Sequence, residues 1–494
     1  MAGATSMLAS RLEQFASSRP HSSAIITTSS HYTYKTVLDQ ARMITRQLKG
    51  LPQSTRVLLL ASEKPEDLII SFVAVNLAGL IPCFANPALD ESSQSNARRT
   101  LRPEVVITDG FRVAKNSSAA DLKMRVTRCP YGTNHAAYVG TSSGTTGLPK
   151  HTLASTPGMM EFVEWAMREF GFTCDDRWAL VASPWTDMGL ANIWLALSSG
   201  AALIPMWSPT DRAFFIRRAR DFGITVCRTL PRLIDVARRD RKSGGPLMRL
   251  RILAFGGDYL TWGQVGVARK IAPQAEMINT YGTAETSGFV SYYRIPHHDE
   301  GIFPGGTVPI GSPAPHVALH AIREGRDGSQ EIRFSGRNLP VGAIPFQGYD
   351  ERLWDEICRG RWIRPTIRDS GDLGFCADGL WHLTGRADRQ AKTSNGNWVN
   401  LDAVEKALAR VTGTPCLSIA HKGSIYALVL GSNGRCPQDD SEHSVRIQSP
   451  DIDTIVQCKV IKCLQLPLSI AGKPDYERCR RIVEAAITKR IEDP

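Results

Sequence analysis

The stretch GTSSGTTGLPKH, residues 140–151, sets three glycines and the hydroxyl residues Thr141, Ser142, Ser143, Thr145 and Thr146 around a single lysine, Lys150. It follows the strand-like AYVG. In a small-residue loop at a strand end, backbone N–H groups and hydroxyls can converge on an anion while a lysine adds charge, which is the chemistry of a phosphate cradle. A P-loop needs its lysine directly after glycine and a Ser or Thr behind it. Here Leu148 and Pro149 separate Gly147 from Lys150 and His151 follows, which argues against a P-loop NTPase. Four further polar segments come later in the chain: NTYGTAETSG (279–288), RDSGDLGFCADGLWHLTGRADRQAK (368–392), NGNWVNLDAVEKAL (395–408) and PLSIAGKPD (467–475). The 11 cysteines and 11 histidines, by contrast, form no cluster at zinc-ligand spacing.

In this order the five segments resemble the adenylate-forming superfamily of acyl-CoA synthetases, fatty acyl-AMP ligases, nonribosomal adenylation domains and luciferases. The resemblance covers essentially the whole chain. It implies an α/β fold with a large N-terminal AMP-binding domain (1–386) and a small, mobile α+β domain (387–494). It also implies an AMP-forming acid–thiol ligase that uses ATP and Mg2+, with coenzyme A or the phosphopantetheine of a separate carrier protein accepting the acyl group. On the matching positions, the loop hydroxyls with Gly144, Gly147 and Lys150 would serve the β- and γ-phosphates, and Glu285 would ligate Mg2+. Gly256, Gly257 and Asp258, with Asn279, Thr280, Tyr281 and Gly282, would line the adenine slot. Asp372 would accept the ribose hydroxyls, for which a carboxylate is suited, and Arg386 would sit near ribose and phosphate. Asp388 matches the hinge, and Lys473 the lysine that bridges carboxylate and α-phosphate. Three departures stand out: His151 replaces the usual glycine after the loop lysine, Ala284 the usual threonine before Glu285, and KTSNGNW a more basic segment.

The acid substrate is harder to read. In ASPWTDMGLANIW (182–194), Asp187 matches the aspartate that pairs with the substrate ammonium in amino-acid-activating domains, yet DMGL also resembles fatty acyl-AMP ligases, where no ammonium is met. Met188, Thr229, Leu253, Phe255, Gly288 and Phe289 are the other expected pocket residues and are mostly apolar. That composition favours an acid without an amino group, recognised by burial. A stand-alone amino-acid adenylation enzyme working with a separate carrier protein, and a degenerate adenylate-binding protein, are the alternatives.

These residues need a scaffold, and the chain of 494 residues is long enough for two or more domains. Apolar runs such as RVLLLAS (56–62), EVVIT (104–108), WALVAS (178–183), AALIPM (201–206) and LRILAFGG (250–257) alternate with helix-period stretches. This pattern predicts parallel sheets with crossover helices. Residues 68–89 carry no charge, but Asn76, Gly79, Pro82, Asn86 and Pro87 interrupt them, so a buried helix followed by a strand is expected rather than a membrane span. The net charge of +11 is spread along the chain as solvated clusters, which suits anionic small molecules better than nucleic acid. With no signal-peptide pattern and scattered cysteines, the expected location is cytoplasmic.

Overall fold

The computed structural model describes all residues except 1–6, 52–54, 61–63, 85–94, 96–97, 99–100, 102, 116–135, 143–149, 239–243, 284–285, 287, 298–305, 324–329, 337–341, 345–367, 393–397, 422–423, 431–441, 450–451, 468–473 and 493–494. By contacts the chain divides into two units: 1–143, 149–318 and 335–366 form one, and 144–148, 319–334 and 367–494 the other.

The first unit contains two mainly parallel sheets. In the nine-stranded sheet, six parallel strands run in the order Glu276–Tyr281, Ile252–Phe255, Val226–Thr229, Arg177–Leu180, Ala202–Pro205 and Ser23–Ile26, with antiparallel strands at both edges. Its two faces feed two different cores, as the period of 2 requires. Ile252, Ala254 and Ile278 join Trp178, Leu190, Ile193 and Trp194 on one face. Leu253, Phe255 and Met277 join Cys227, Ile234, Val265 and Ala268 on the other. The helix Asp187–Ser199 is apolar nearly all round and almost wholly buried, the state expected of a helix without a polar face. Thr186 caps its start by accepting from the Gly189 amide at 3.2 Å, and left-handed Gly200 ends it.

A seven-stranded sheet includes Arg56–Leu59, Val105–Thr108, Ile81–Phe84, Ala136–Ser142 and Lys150–Ser155. The uncharged stretch from residue 68 folds as expected: the helix Pro65–Leu77 is followed by left-handed Gly79 and the strand Ile81–Phe84. Among the described residues, no helix is long and apolar enough to cross a membrane.

The second unit contains the antiparallel hairpin Arg368–Ala377 and Leu380–Arg386, and a four-stranded sheet made of Cys416–His421, Ser424–Leu430, Ile452–Cys463 and Glu442–Ser449. The division by contacts therefore falls near residue 367, earlier than the expected boundary at 386. The cause is local bonding. The Arg386 amide donates to Asp402 at 2.9 Å, Asn400 donates to the Arg386 carbonyl at 2.8 Å, and Asn400 also caps the helix Leu401–Thr412. These bonds tie the hairpin's last strand to the residues that follow it.

Within this unit Arg389 is one cation shared by two carboxylates. Its guanidinium donates to Asp402 at 2.9 Å and to Glu405, and lies 3.7 Å from the Tyr476 ring centre. Burial, together with the negative charge of Asp402, outweighs the pull of Arg389 and pushes the Glu405 carboxyl up to about 7. Glu405 thus holds its proton more tightly folded than unfolded. Its contribution to stability is complete below the usual carboxylate range and is lost as pH rises through about 7. The melting temperature should fall between pH 6 and pH 8, and Glu405→Gln, which keeps a hydrogen-bonding head but cannot ionise, should flatten that fall. Thermal melts of both proteins across the interval check this.

Candidate active site

The hairpin that brackets the glycine-rich loop fixes where its ends stand. Strands Ala136–Ser142 and Lys150–Ser155 pair antiparallel, with Ser142 opposite Lys150 and Thr141 opposite His151. Two hydroxyl residues and the lysine are thereby brought to the two mouths of one short connection. Ser143, Gly144, Thr145, Thr146 and Gly147 lie outside the described residues, as do Glu285 and Lys473.

Several residues expected at the adenine slot prove to be bonded into the sheet. Asn279 donates to the Pro309 carbonyl at 2.9 Å, and the Thr280 hydroxyl donates to the Phe255 carbonyl at 2.6 Å; both residues are buried, as is Tyr281. Asp258 pairs with Arg232 at 3.0 Å. Gly256 leaves no room for a side chain, since a Cβ there would stand 2.6 Å from the Thr280 hydroxyl. At Gly257, with φ of +76°, a Cβ would meet the Met188 methyl at 3.0 Å, so a glycine of the adenine slot touches a residue of the expected acid pocket.

The acid-pocket expectation is met in part. Asp187 opens its buried helix and accepts from the Tyr138 hydroxyl at 2.5 Å and from the Gly288 amide at 3.3 Å. Gly288 adopts φ of +119° and packs so closely on Phe162 that a Cβ would come within 2.9 Å of the ring. Phe289 belongs to an aromatic core, edge-on to Phe162 at 4.9 Å and to Trp165 at 5.4 Å. Leu253 and Phe255 are fully buried in the core on the other face of the sheet. It is Ala254 that lines a narrow apolar cavity with Arg228, Thr280, Phe289 and Trp178. In a strand, one step along the chain exchanges the faces, so the residues expected to line this space form part of its back wall.

Three residues of this region escaped the sequence reading. Tyr138 sits in the strand before the loop, Asn192 one turn along from Asp187, and Arg228 in the centre of the nine-stranded sheet. Arg228 is only 5% exposed. It donates to the Asn192 side-chain oxygen at 3.4 Å and to the Thr280 hydroxyl at 3.3 Å, and its guanidinium lies 4.8 Å from the Phe289 ring centre. Burial lowers its pKa to about 10, opposed by the negative charge of Asp187, so it stays protonated at neutral pH. Burial and the same carboxylate raise the pKa of Tyr138. The available signal was a lone arginine inside the apolar run ITVCRTLP.

In the second unit, Asp372 and Arg386 stand opposite each other on the antiparallel hairpin. Arg386 donates to Asp372 at 3.0 Å and, through two nitrogens, to Asp388 at 3.2 Å. Burial works against its charge, but Asp372 and Asp388 outweigh that and push its pKa up. The expected ribose acceptor, phosphate partner and hinge residue thus form one ion-pair cluster. Among the described residues no group of three or more His, Cys, Asp or Glu is placed to hold a metal ion.

Comparison with known proteins agrees with this architecture. A family profile described as AMP-binding enzyme matches residues 12–332. Phenyloxazoline synthase MbtB of Mycobacterium tuberculosis is 28% identical over 377 residues, covering 72% of this chain and 25% of that protein. An L-proline–[L-prolyl-carrier protein] ligase of Streptomyces coelicolor is 27% identical over 354 residues, covering 68% and 64%. The chain therefore spans between a quarter and two thirds of the length of these relatives. The crystal structure of Klebsiella oxytoca NpsA in complex with 3-hydroxyanthranilyl-AMSN superposes with a TM-score of 0.74 at 17% identity, covering 97% of this chain and 99% of that one.

The ion-pair cluster predicts unequal costs. Arg386→Ala removes a cation from the buried Asp372 carboxylate and should destabilise the protein by about 2 kcal/mol. Asp388→Ala leaves the Arg386–Asp372 pair in place and should cost under about 1 kcal/mol. Urea titrations of the two variants measure the difference.

Proposed function

The chain belongs to the AMP-binding enzyme family, and from that premise we propose that it activates a carboxylic acid with ATP and passes the acyl group to a thiol. A carboxylate oxygen attacks the α-phosphorus, the bond to the bridging oxygen of the β-phosphate breaks, and acyl-AMP and pyrophosphate result. A thiolate then attacks the acyl carbon and AMP leaves. The observation that carries this reading is the hairpin register that sets Ser142 opposite Lys150 at the ends of the glycine-rich connection. Hydroxyls, amides and a cation at one turn suit the departing pyrophosphate, whose charge must be stabilised as it forms.

Mg2+ fits the donor chemistry of this chain. It is commonly held by one or two carboxylates together with the substrate's phosphates rather than by an all-protein cage. Glu285 would be that carboxylate, and the ion would supply charge neutralisation at the phosphates. Asp372 would orient the ribose, with Arg386 holding the carboxylate in place, and Lys473 would draw the acid toward the α-phosphate. Asp388 would be the pivot about which residues 387–494 reorient between the two half-reactions. The likeness to a prolyl-carrier protein ligase supports a carrier-protein thiol as acceptor, with coenzyme A as the other candidate.

Pyrophosphate exchange with a panel of acids tests the reading. Lys473→Ala should lower exchange about 100-fold to 1000-fold, the usual cost of removing one electrostatic donor at the reacting centre. Thioester formation from presynthesised acyl-AMP should fall much less, whereas Asp372→Ala should weaken both half-reactions. Intact exchange in Lys473→Ala would remove that lysine from the mechanism, and exchange with no acid at all would remove the ligase assignment.

A further inference from the structure

Asp187 does not await a partner. Its carboxylate already accepts from the Tyr138 hydroxyl at 2.5 Å and the Gly288 amide at 3.3 Å. The nearby positive charge belongs to Arg228, and the two are joined through shared elements. Asn192, on the same helix as Asp187, accepts from the Arg228 guanidinium at 3.4 Å and donates to the Arg228 carbonyl at 3.2 Å. Phe289, whose face lies against that guanidinium, follows the glycine whose amide bonds Asp187. The buried cluster thus holds one carboxylate and one guanidinium and is neutral before any substrate arrives.

We propose that Arg228 is a specificity-determining residue: it supplies from within the protein the positive charge that an α-ammonium would otherwise bring to Asp187, so the site takes carboxylic acids that lack an α-amino group. This rests on the adenylation reading. The balance of charge is the reason. An ammonium entering beside Asp187 would give the buried cluster an uncompensated positive charge next to a guanidinium that cannot leave, because its hydrogen bonds and the aromatic face of Phe289 hold it in the sheet. An acid with hydrogen in place of the amino group brings no such charge and gains from burial against an apolar wall. Discrimination is then built against the wrong substrate rather than from extra contacts to the right one.

The experiment compares matched pairs of acyl-sulfamoyl adenosines that differ only in the α-amino group: 3-phenylpropanoyl with phenylalanyl, 4-methylpentanoyl with leucyl, and pentanoyl with norvalyl. Calorimetric titration is made into wild type, Arg228→Met and Arg228→Lys. In at least one pair, wild type should bind the member without the amino group about tenfold more tightly or better. Arg228→Met should erode that preference by about tenfold through tighter binding of the aminoacyl member, and Arg228→Lys, which keeps the charge, should retain it. Equal or tighter binding of the aminoacyl members by wild type, or an unchanged ratio in a folded Arg228→Met protein, overturns the assignment. Pyrophosphate exchange run on the same preparations separates the two levels. Exchange that favours amino acids leaves adenylation standing and sinks the role of Arg228. Binding with the expected preference but no exchange does the reverse, and binding of no analogue overturns both.

Discussion

Arg228 carries a full positive charge into the centre of a nine-stranded sheet, where leaving it uncompensated would cost several kcal/mol. The surrounding structure is arranged around that demand. Asn192 must face the strand from the buried helix, Thr280 must present its hydroxyl from the neighbouring strand, and Phe289 must lay its ring against the guanidinium. Asp187 supplies the balancing charge, and its own oxygens are met by Tyr138 and by the amide of a glycine that packs on Phe162. Thus one cation sets the side-chain choice on four elements that come from distant parts of the chain.

The second unit uses the same economy with the signs reversed. Arg386 serves Asp372 and Asp388, and Arg389 serves Asp402 and Glu405. Two carboxylates around each guanidinium leave an excess of negative charge in partly or wholly buried surroundings, and in the second case that excess pushes the proton affinity of Glu405 up. Such clusters are stiff as long as every member is present. They also couple places that the sequence separates, so the residue expected at the ribose and the residue expected at the pivot answer to one arginine.

The sequence carried much of the fold. Apolar runs without alternation, separated by helix-length stretches, are what a sheet buried on both faces demands, and RVLLLAS, EVVIT, WALVAS, AALIPM and LRILAFGG all contain strands. Capping chemistry was equally local: Pro65 opens a helix, Gly79 and Gly413 close helices with left-handed backbone, and Asn400 caps the helix that follows it. The order of five motifs was enough to point to the family. None of these features depends on what lies across the molecule, and for that reason each could be read from neighbouring residues.

What the tertiary structure alone decided is which side chains meet. Leu253 and Phe255 were expected in the pocket, but the strand's alternation turns them into the opposite core and leaves Ala254 and Arg228 facing the cavity. Asp187 was legible as a charge near the acid; that its partners are Tyr138, 49 positions away, and Gly288, 101 positions away, was not. The domain boundary shifted because hydrogen bonds from Asn400 and Asp402 reach back to Arg386. Local pattern specifies an element because propensity, capping and periodicity act between near neighbours in sequence. Burial, charge balance and strand face are properties of the packed ensemble of elements, so only the folded chain could assign them.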